Sequence, residues 1–389
     1  MQELPLGISD FKELREKNCV YADRTEDIYS LISGNNSFLL TRPRGFGKTL
    51  FLSTLKYIFQ GRKELFKGLW IYNSPLVWKP HPIIYLNLGD ILSPSNKSLK
   101  KTLLYQIEQN AQESCVELDL RTGPRYTLEK LIEKLYFSTN RATGKGATSA
   151  QVVVLIDNYD SPILETIHDP LQSELTMRAL RNFFQALKNS LRFLRFVILT
   201  GMFRYPMRSI FPQFNQIRDI SFERHVKILC GITQEDLDRS LAGHVEATWN
   251  NFKEMGRYPA ESPLALFYWD ILNLYNGYSF GNPVKYVNPI SVLAFLKNRF
   301  YGSFWLESAK PSYLEEIIER ESQKYNLMKE KIVLPFRSNY MALGNLETIP
   351  LLLQSGYLSV ESVKKVKRVT ELFLKVPNQE IRSRLLSPR

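Results

Sequence analysis

The chain of 389 residues contains only three cysteines, at 19, 115 and 230, and they have no paired spacing. Neither a disulfide framework nor a cysteine zinc cluster is implied, and a reducing, intracellular compartment fits. No apolar run approaches the ~18 residues that a membrane-crossing helix needs, so a soluble protein with no membrane partner is expected. The opening Met1-Gln-Glu-Leu-Pro-Leu6 carries an acid and lacks an apolar core, unlike a secretory leader. No internal repeat is evident. Acids are also missing locally: residues 175–218 contain none, while the same stretch holds eight Lys or Arg. Apolar residues make up 44% of the chain, ordinary for globular material, and the length allows two or three domains with a substantial core.

The most informative segment is Ser37-Phe-Leu-Leu-Thr-Arg-Pro-Arg-Gly-Phe-Gly-Lys-Thr-Leu-Phe-Leu52. An apolar strand enters a glycine-containing turn that ends in Gly47-Lys48-Thr49, and an apolar helix follows, with Gly61 as its C-terminal stop. A turn of this kind points backbone N–H groups at a ligand from a helix N-terminus, where the helix dipole favours negative charge. Lys48 would sit on the outer phosphates of a nucleotide and the Thr49 hydroxyl on Mg²⁺. The pattern is incomplete, because the position five residues before Gly47 is Arg42 and not Gly. Gly144-Lys145-Gly146 lacks both flanking elements and reads as a loop.

A second segment completes the first. Val152-Val-Val-Leu-Ile156 is continuously apolar, as expected of a strand buried on both faces of a parallel sheet, and it ends in Asp157. An acid at the carboxyl end of such a strand lies beside a phosphate loop and can hold Mg²⁺ through water. Many ATPases place Glu next, to polarise the attacking water; here the residue is Asn158, which can orient a water but cannot accept its proton. Asp160 is the nearest substitute. Thr200, at the end of the strand 195–200, is a candidate sensor of the γ-phosphate.

The coarse pattern alternates. Strands are expected at 37–42, 82–88, 152–157, 195–200 and 217–222, and helices at 48–60, near 96–113, at 126–138 and at 171–193; residues 139–151 read as an exposed loop. This is an α/β fold, a parallel sheet with helices on both faces. After about residue 225 helices dominate. Thr233-Gln-Glu-Asp236 and Asn288-Pro289 look like capped helix starts, and the region is expected to form a lid over the nucleotide. A helix at 346–354, followed by β-like stretches at 358–363 and 369–376, suggests a winged-helix-like module. The expected organisation is residues 1–225 as the nucleotide domain (1–30 an N-terminal segment), 226–310 as the helical lid and 311–389 as the C-terminal module.

The net charge is +12. Half of it lies in residues 364–389, where Lys or Arg at 364, 365, 367, 368, 375, 382, 384 and 389 face only Glu371 and Glu380. Arg178, Arg181, Gln185, Lys188 and Arg192 fall three and four apart and form one helical stripe. A solvated helix face, phosphate contacts with nucleic acid, and an Arg offered to a neighbouring subunit all fit that stripe.

Several ordered segments together resemble the AAA-ATPase-like family, whose members are P-loop ATPases that often carry a C-terminal PD-(D/E)XK nuclease-like domain. The resemblance runs through Leu4-Pro-Leu-Gly-Ile-Ser-Asp-Phe11, Tyr21-Ala-Asp-Arg-Thr25, Thr41-Arg-Pro-Arg-Gly-Phe-Gly-Lys-Thr-Leu50, Leu155-Ile-Asp-Asn-Tyr-Asp-Ser-Pro-Ile163, Arg181-Asn-Phe-Phe184, Leu199-Thr-Gly-Met202, Cys230-Gly-Ile-Thr233, Tyr275-Asn-Gly-Tyr-Ser-Phe-Gly281 and Gln354-Ser-Gly-Tyr-Leu358. The family's loop also begins with Arg, which accounts for Arg42. The family usually has Glu where this chain has Asn158, so the resemblance carries ATP binding further than hydrolysis. The sequence stops soon after Val376-Pro-Asn-Gln-Glu380, about where the nuclease-like part would begin, and nuclease activity is not carried over. The resemblance implies ATP and Mg²⁺ as ligands. ATP is expected on Arg42, Arg44, Gly45, Phe46, Gly47, Lys48, Thr49, Leu50 and Thr200, and Mg²⁺ on Thr49 and Asp157. Lys48, Asp157, Asn158 and Asp160 are the residues expected to act in turnover. Two functions compete: a nucleotide-dependent switch or slow ATPase, working with a separate effector chain or as an oligomer, and a nucleic-acid adaptor using the basic tail 364–389 with a vestigial ATP site.

Overall fold

A computed structural model describes residues 1–34, 37–90, 95–142, 150–212, 214–223, 229–308, 316–318, 320, 323, 327, 332–341 and 347–386. The polar stretch 143–149 with its Gly-Lys-Gly, residues 226–228 of the lid, the start of the C-terminal module at 311–315, residue 346 and the tail end 387–389 lie outside the described residues.

Five parallel strands form the main sheet: β1 (Ser37–Thr41), β2 (Ile83–Asn87), β3 (Val152–Asp157), β4 (Leu194–Gly201) and β5 (Arg218–Asp219). Their order across the sheet is β2-β3-β4-β1-β5. All six residues of β3 are buried, as a strand covered on both faces requires. Alternation decides which side chain meets which layer. Phe38, Leu40, Val153, Leu155, Phe196 and Ile198 pack on the helix Lys48–Phe59 through Phe51, Leu52, Leu55 and Phe59. Leu39, Val152, Val154, Ile156, Val197 and Leu199 face the opposite way, onto the helices Asn96–Glu113, Pro124–Ala142 and Pro170–Asn189. Each of these large side chains contributes roughly 1.5–3 kcal/mol by leaving water.

The last of those helices is shorter than its apolar pattern suggests. It ends at Asn189, Ser190 caps it, and residues 191–193 form a 3₁₀ turn. Arg192 therefore leaves the expected stripe, and Arg181 is turned inward, donating from Nε to the Ser209 carbonyl at 2.7 Å. The expected strand 217–222 shrinks to β5, because Ser221 turns away to accept from the Thr41 amide through its side chain.

Beyond the sheet, β6 (Ile232–Thr233) and β7 (Tyr286–Val287) make a two-stranded ladder. Thr233 and Asp236 form a reciprocal capping box, and Asn288 caps the helix Pro289–Asn298, with Pro at its first position. The helices Ala242–Glu254, Leu264–Tyr275 and Pro289–Asn298 share a third core. Finally, β8 (Ile332–Pro335), β9 (Ser359–Val366) and β10 (Val369–Lys375) form an antiparallel sheet in the order β8-β10-β9, with the helix Thr348–Ser355 between β8 and β9 in the chain. These elements occupy the stretch expected to carry a winged-helix-like module. Arg204, just past β4, joins this sheet to the main one. It is buried, pairs with Asp219 at 2.8 Å, and donates to the Asn339 carbonyl and the Tyr340 hydroxyl, both at 3.1 Å. The Gln354 side chain accepts from its amide at 2.5 Å. Among the described residues no helix is long and apolar enough to cross a membrane.

Candidate functional site

The turn after β1 is built by two glycines in left-handed conformations, Gly45 at φ +78° and Gly47 at φ +83°, and Gly47 is the N-cap of the helix Lys48–Phe59. These φ values let successive amides point to one side of the turn. Among the described residues the amides of Gly45, Phe46, Gly47, Lys48 and Thr49 donate to no protein acceptor. They face a cavity of 960 Å³ lined by Arg44 to Phe51 of the turn, by Leu6, Ile8, Val20 and Tyr21 of the N-terminal segment, and by Cys230, Leu241 and Leu293 of the helical region. The lining thus combines unpaired N–H donors with apolar side chains, and Arg24, Glu165 and Glu307 add charge.

Aromatic packing holds the turn in place. Phe46 is fully buried and sits edge-on to Tyr278 and Phe280, with ring centres 5.0 and 5.6 Å away. The segment Tyr275–Gly281 is therefore the platform under the loop. From the helical region, Trp305 Nε1 donates to the Arg44 carbonyl at 2.9 Å, and Ile290 lies against Gly45. Gly356, the left-handed cap of the helix Thr348–Ser355, lies against Pro43.

Lys48 is buried and donates from Nζ to the carbonyls of Arg42 (2.9 Å) and Pro43 (3.1 Å). Burial lowers its pKa, opposed by the nearby Asp157 and Asp160 carboxylates. Thr49 donates to Asp157 Oδ2 at 2.6 Å, so the two residues expected to share a metal are in direct contact. Asp157 is fully buried, and its Oδ1 accepts from Thr200 Oγ1 at 2.5 Å and from the Asn158 amide at 3.0 Å. Strand order explains this, because β4 lies between β1 and β3 and brings Thr200 beside Asp157. Neither Asp157 nor Thr200 lines the cavity; Thr200 is linked to Thr49, which does, only through Asp157.

Arg42 and Asp160 are engaged within the protein itself. Arg42 does not line the cavity. Its guanidinium donates to the carbonyls of Thr41 (2.8 Å) and Ser221 (2.6 Å) and lies 4.1 Å from the centre of the Phe280 ring. It ties β1 to the aromatic platform. Arg44 does line the cavity and makes no ion pair among the described residues. Asp160, the expected stand-in for a missing acid, is 1% exposed, and its Oδ2 accepts from the amides of Met202 (2.9 Å) and Phe203 (2.7 Å). It clamps the turn after β4. Burial raises its pKa, with those amides and Lys48 opposing.

Asn158 has φ +51°, a left-handed conformation that Asn tolerates far better than most residues. Its Nδ2 donates to Asn87 Oδ1 at 2.9 Å. Asn87 ends β2 directly opposite Asp157, and sequence reasoning does not single it out. The available signal is a polar residue at the carboxyl end of a parallel strand. Leu50 lines the cavity with the first turn of its helix. Among the described residues no cluster of three His, Cys, Asp or Glu could hold a metal. One hydroxyl and one carboxylate in contact do suit Mg²⁺, a hard ion that keeps waters and takes its remaining ligands from substrate phosphates.

Unpaired amides at a helix N-terminus, a lysine in the first turn, and an acid at the end of a nearby parallel strand define a P-loop nucleotide-binding fold. The chain belongs to the AAA-ATPase-like family: the family profile described as "Predicted AAA-ATPase" matches residues 5–211. Membership carries ATP binding as the general property of this class. A relative from Azotobacter chroococcum mcd 1, described as "Uncharacterized protein in vnfD 5'region", is 26% identical over 385 residues, covering 99% of this chain and 69% of that protein.

Proposed function

We propose that this protein binds ATP with Mg²⁺ at the turn 45–49 and works as a nucleotide-dependent switch with slow turnover. The observation that carries the reading is the row of unpaired amides from Gly45 to Thr49, open to the cavity and preceding the contact between Thr49 and Asp157. The amides would take the phosphate oxygens, and Arg44 would add charge-assisted donors beside them. Lys48 would exchange the carbonyls of Arg42 and Pro43 for the outer phosphates, trading neutral acceptors for anionic ones. The apolar part of the lining, with Leu6, Ile8, Leu241 and Leu293, would suit the base. Thr49 and Asp157 would hold Mg²⁺, which supplies charge neutralisation on the phosphates.

Turnover is expected to be slow for a stated reason. Asn158 cannot accept a proton, and Asp160 is committed to two amides. The switch would act through the contacts on the loop itself, since Trp305 and Gly356 touch residues 43–44. A ligand moves that equilibrium only by its differential affinity for the two arrangements.

The test is binding of a fluorescent ATP analogue with and without Mg²⁺, by the parent and by Lys48→Ala, together with phosphate release by the parent and by Asn158→Glu. We expect Mg²⁺-dependent binding, loss of binding in Lys48→Ala, and a gain in turnover in Asn158→Glu, limited by the left-handed backbone. Binding by Lys48→Ala equal to the parent would remove the site assignment.

A further inference from the structure

We propose that the tip of the β9–β10 ribbon is a contact surface for the phosphate backbone of duplex nucleic acid, an activity beyond the nucleotide site. β8 pairs with β10 only over Glu371–Leu374, so among the described residues the ribbon continues past it with no third strand. Residues 364–370 are all exposed. Four of these seven are cations (Lys364, Lys365, Lys367 and Arg368) and none is acidic. Lys364 lies over the Phe373 ring at 5.0 Å, while Lys365, Lys367 and Arg368 make no ion pair among the described residues.

The turn gives a second, independent observation. Lys367 has φ +55°, in a two-residue hairpin turn where Gly, Asn or Asp is the favoured choice. A cation is held there against the backbone preference. Edge lysines also discourage strand pairing, but that role does not require one at the strained position of the turn.

The surroundings narrow the partner. All eight residues of the helix Thr348–Ser355 are buried or half-buried, so this helix, just ahead of the ribbon, offers no face to a groove and base reading by it is not expected. No aromatic residue lies among 364–370, so bases of a single strand have nothing to stack on, and only Val366 and Val369 are apolar, too little to enter a bilayer. A two-stranded ribbon does fit against a duplex. Four phosphate contacts give a slope of log K on log salt of about −3.6, so affinity falls roughly a hundredfold between ~50 and ~200 mM salt.

The experiment uses the whole chain and fluorescein-labelled duplexes of about 20 base pairs in two unrelated sequences, with phosphatidylserine vesicles as a separate arm, in a salt titration. The variants are Lys367→Asn, which suits the turn, and the triple Lys365→Gln, Lys367→Asn, Arg368→Gln. We expect both duplexes to bind alike, the slope to shrink by about 1 in the single variant and by about 3 in the triple, and the vesicles to stay unbound. ATP-analogue binding should be unchanged in the triple variant; this separates failure here from failure of the nucleotide site. Equal duplex binding by parent and triple variant overturns the proposal. So does binding of vesicles without duplex, or no duplex binding at ~50 mM salt and ~100 µM protein.

Discussion

A methyl group added at Gly45 would land 2.3 Å from Ile290 Cδ1 and 2.8 Å from its Cγ1, with Trp305 Cδ1 at 3.5 Å. Gly45→Ala therefore costs two separable amounts. Holding alanine at φ +78° costs about 1–2 kcal/mol whatever surrounds it. Displacing Ile290 adds about 1 kcal/mol, the low end for overpacking, because the clash falls on the tip of a flexible side chain. Truncating Ile290 removes only the second amount. The double variant Gly45→Ala, Ile290→Ala should accordingly be more stable than the sum of the single losses predicts, by about 1 kcal/mol. Urea unfolding of the parent, the two singles and the double measures this. Additive losses would show that the lid helix does not rest on the loop, and a Gly45→Ala variant as stable as the parent would refute the left-handed turn itself.

Two further predictions concern groups around this seat. Gly201→Ala places a methyl 2.5 Å from Asp160 Oδ1 and 2.6 Å from the Tyr159 ring, both buried, so a loss near the top of the ~1–3 kcal/mol overpacking range is expected; an unchanged melting temperature would contradict it. Glu380 is buried and accepts from Ser291 Oγ at 2.9 Å and from the Trp305 amide at 3.1 Å. Burial pushes its pKa up from 4.5 to about 7, with Glu307 adding repulsion. The folded state then binds more protons than the unfolded chain between those values, so stability falls as pH rises through the window, by roughly 3 kcal/mol in all. Glu380→Gln should match the parent near pH 4.5 and exceed it at pH 8; identical pH profiles of urea midpoints would refute the assignment.

Much of the geometry of the candidate site is legible in the sequence because its signals are local. A strand running into glycines and a lysine-headed helix needs no distant information, and neither does the apolar run ending in Asp157. The caps at Thr233 and Asn288 are equally plain, since a cap acts within one turn. What escapes is set by packing at long range. Nothing near Arg42 in sequence says that its guanidinium will lie on Phe280, in a distant part of the chain, and not on a phosphate. Asp160 reads as a spare base until the fold brings the amides of Met202 and Phe203 onto it. Asn158 reads as a damaged catalytic residue, whereas the backbone there is left-handed and its side chain is spent on Asn87. The helix Pro170–Asn189 is shorter than expected because Leu191 and Phe193 continue its apolar face from a 3₁₀ turn.

The fastening of Pro43 and Arg44 by Gly356 and Trp305 has a thermodynamic consequence that runs in both directions. Trp305 is itself tied through its amide to Glu380, so the loop, the helix Phe304–Ser308 and the last described helix, Gln379–Leu386, are linked by one run of contacts. Whatever factor a triphosphate changes in the affinity of that helix for another molecule, the other molecule must return in the affinity for the triphosphate. A protein that grips this helix in only one of two loop arrangements would shift the nucleotide occupancy of a loop it never touches.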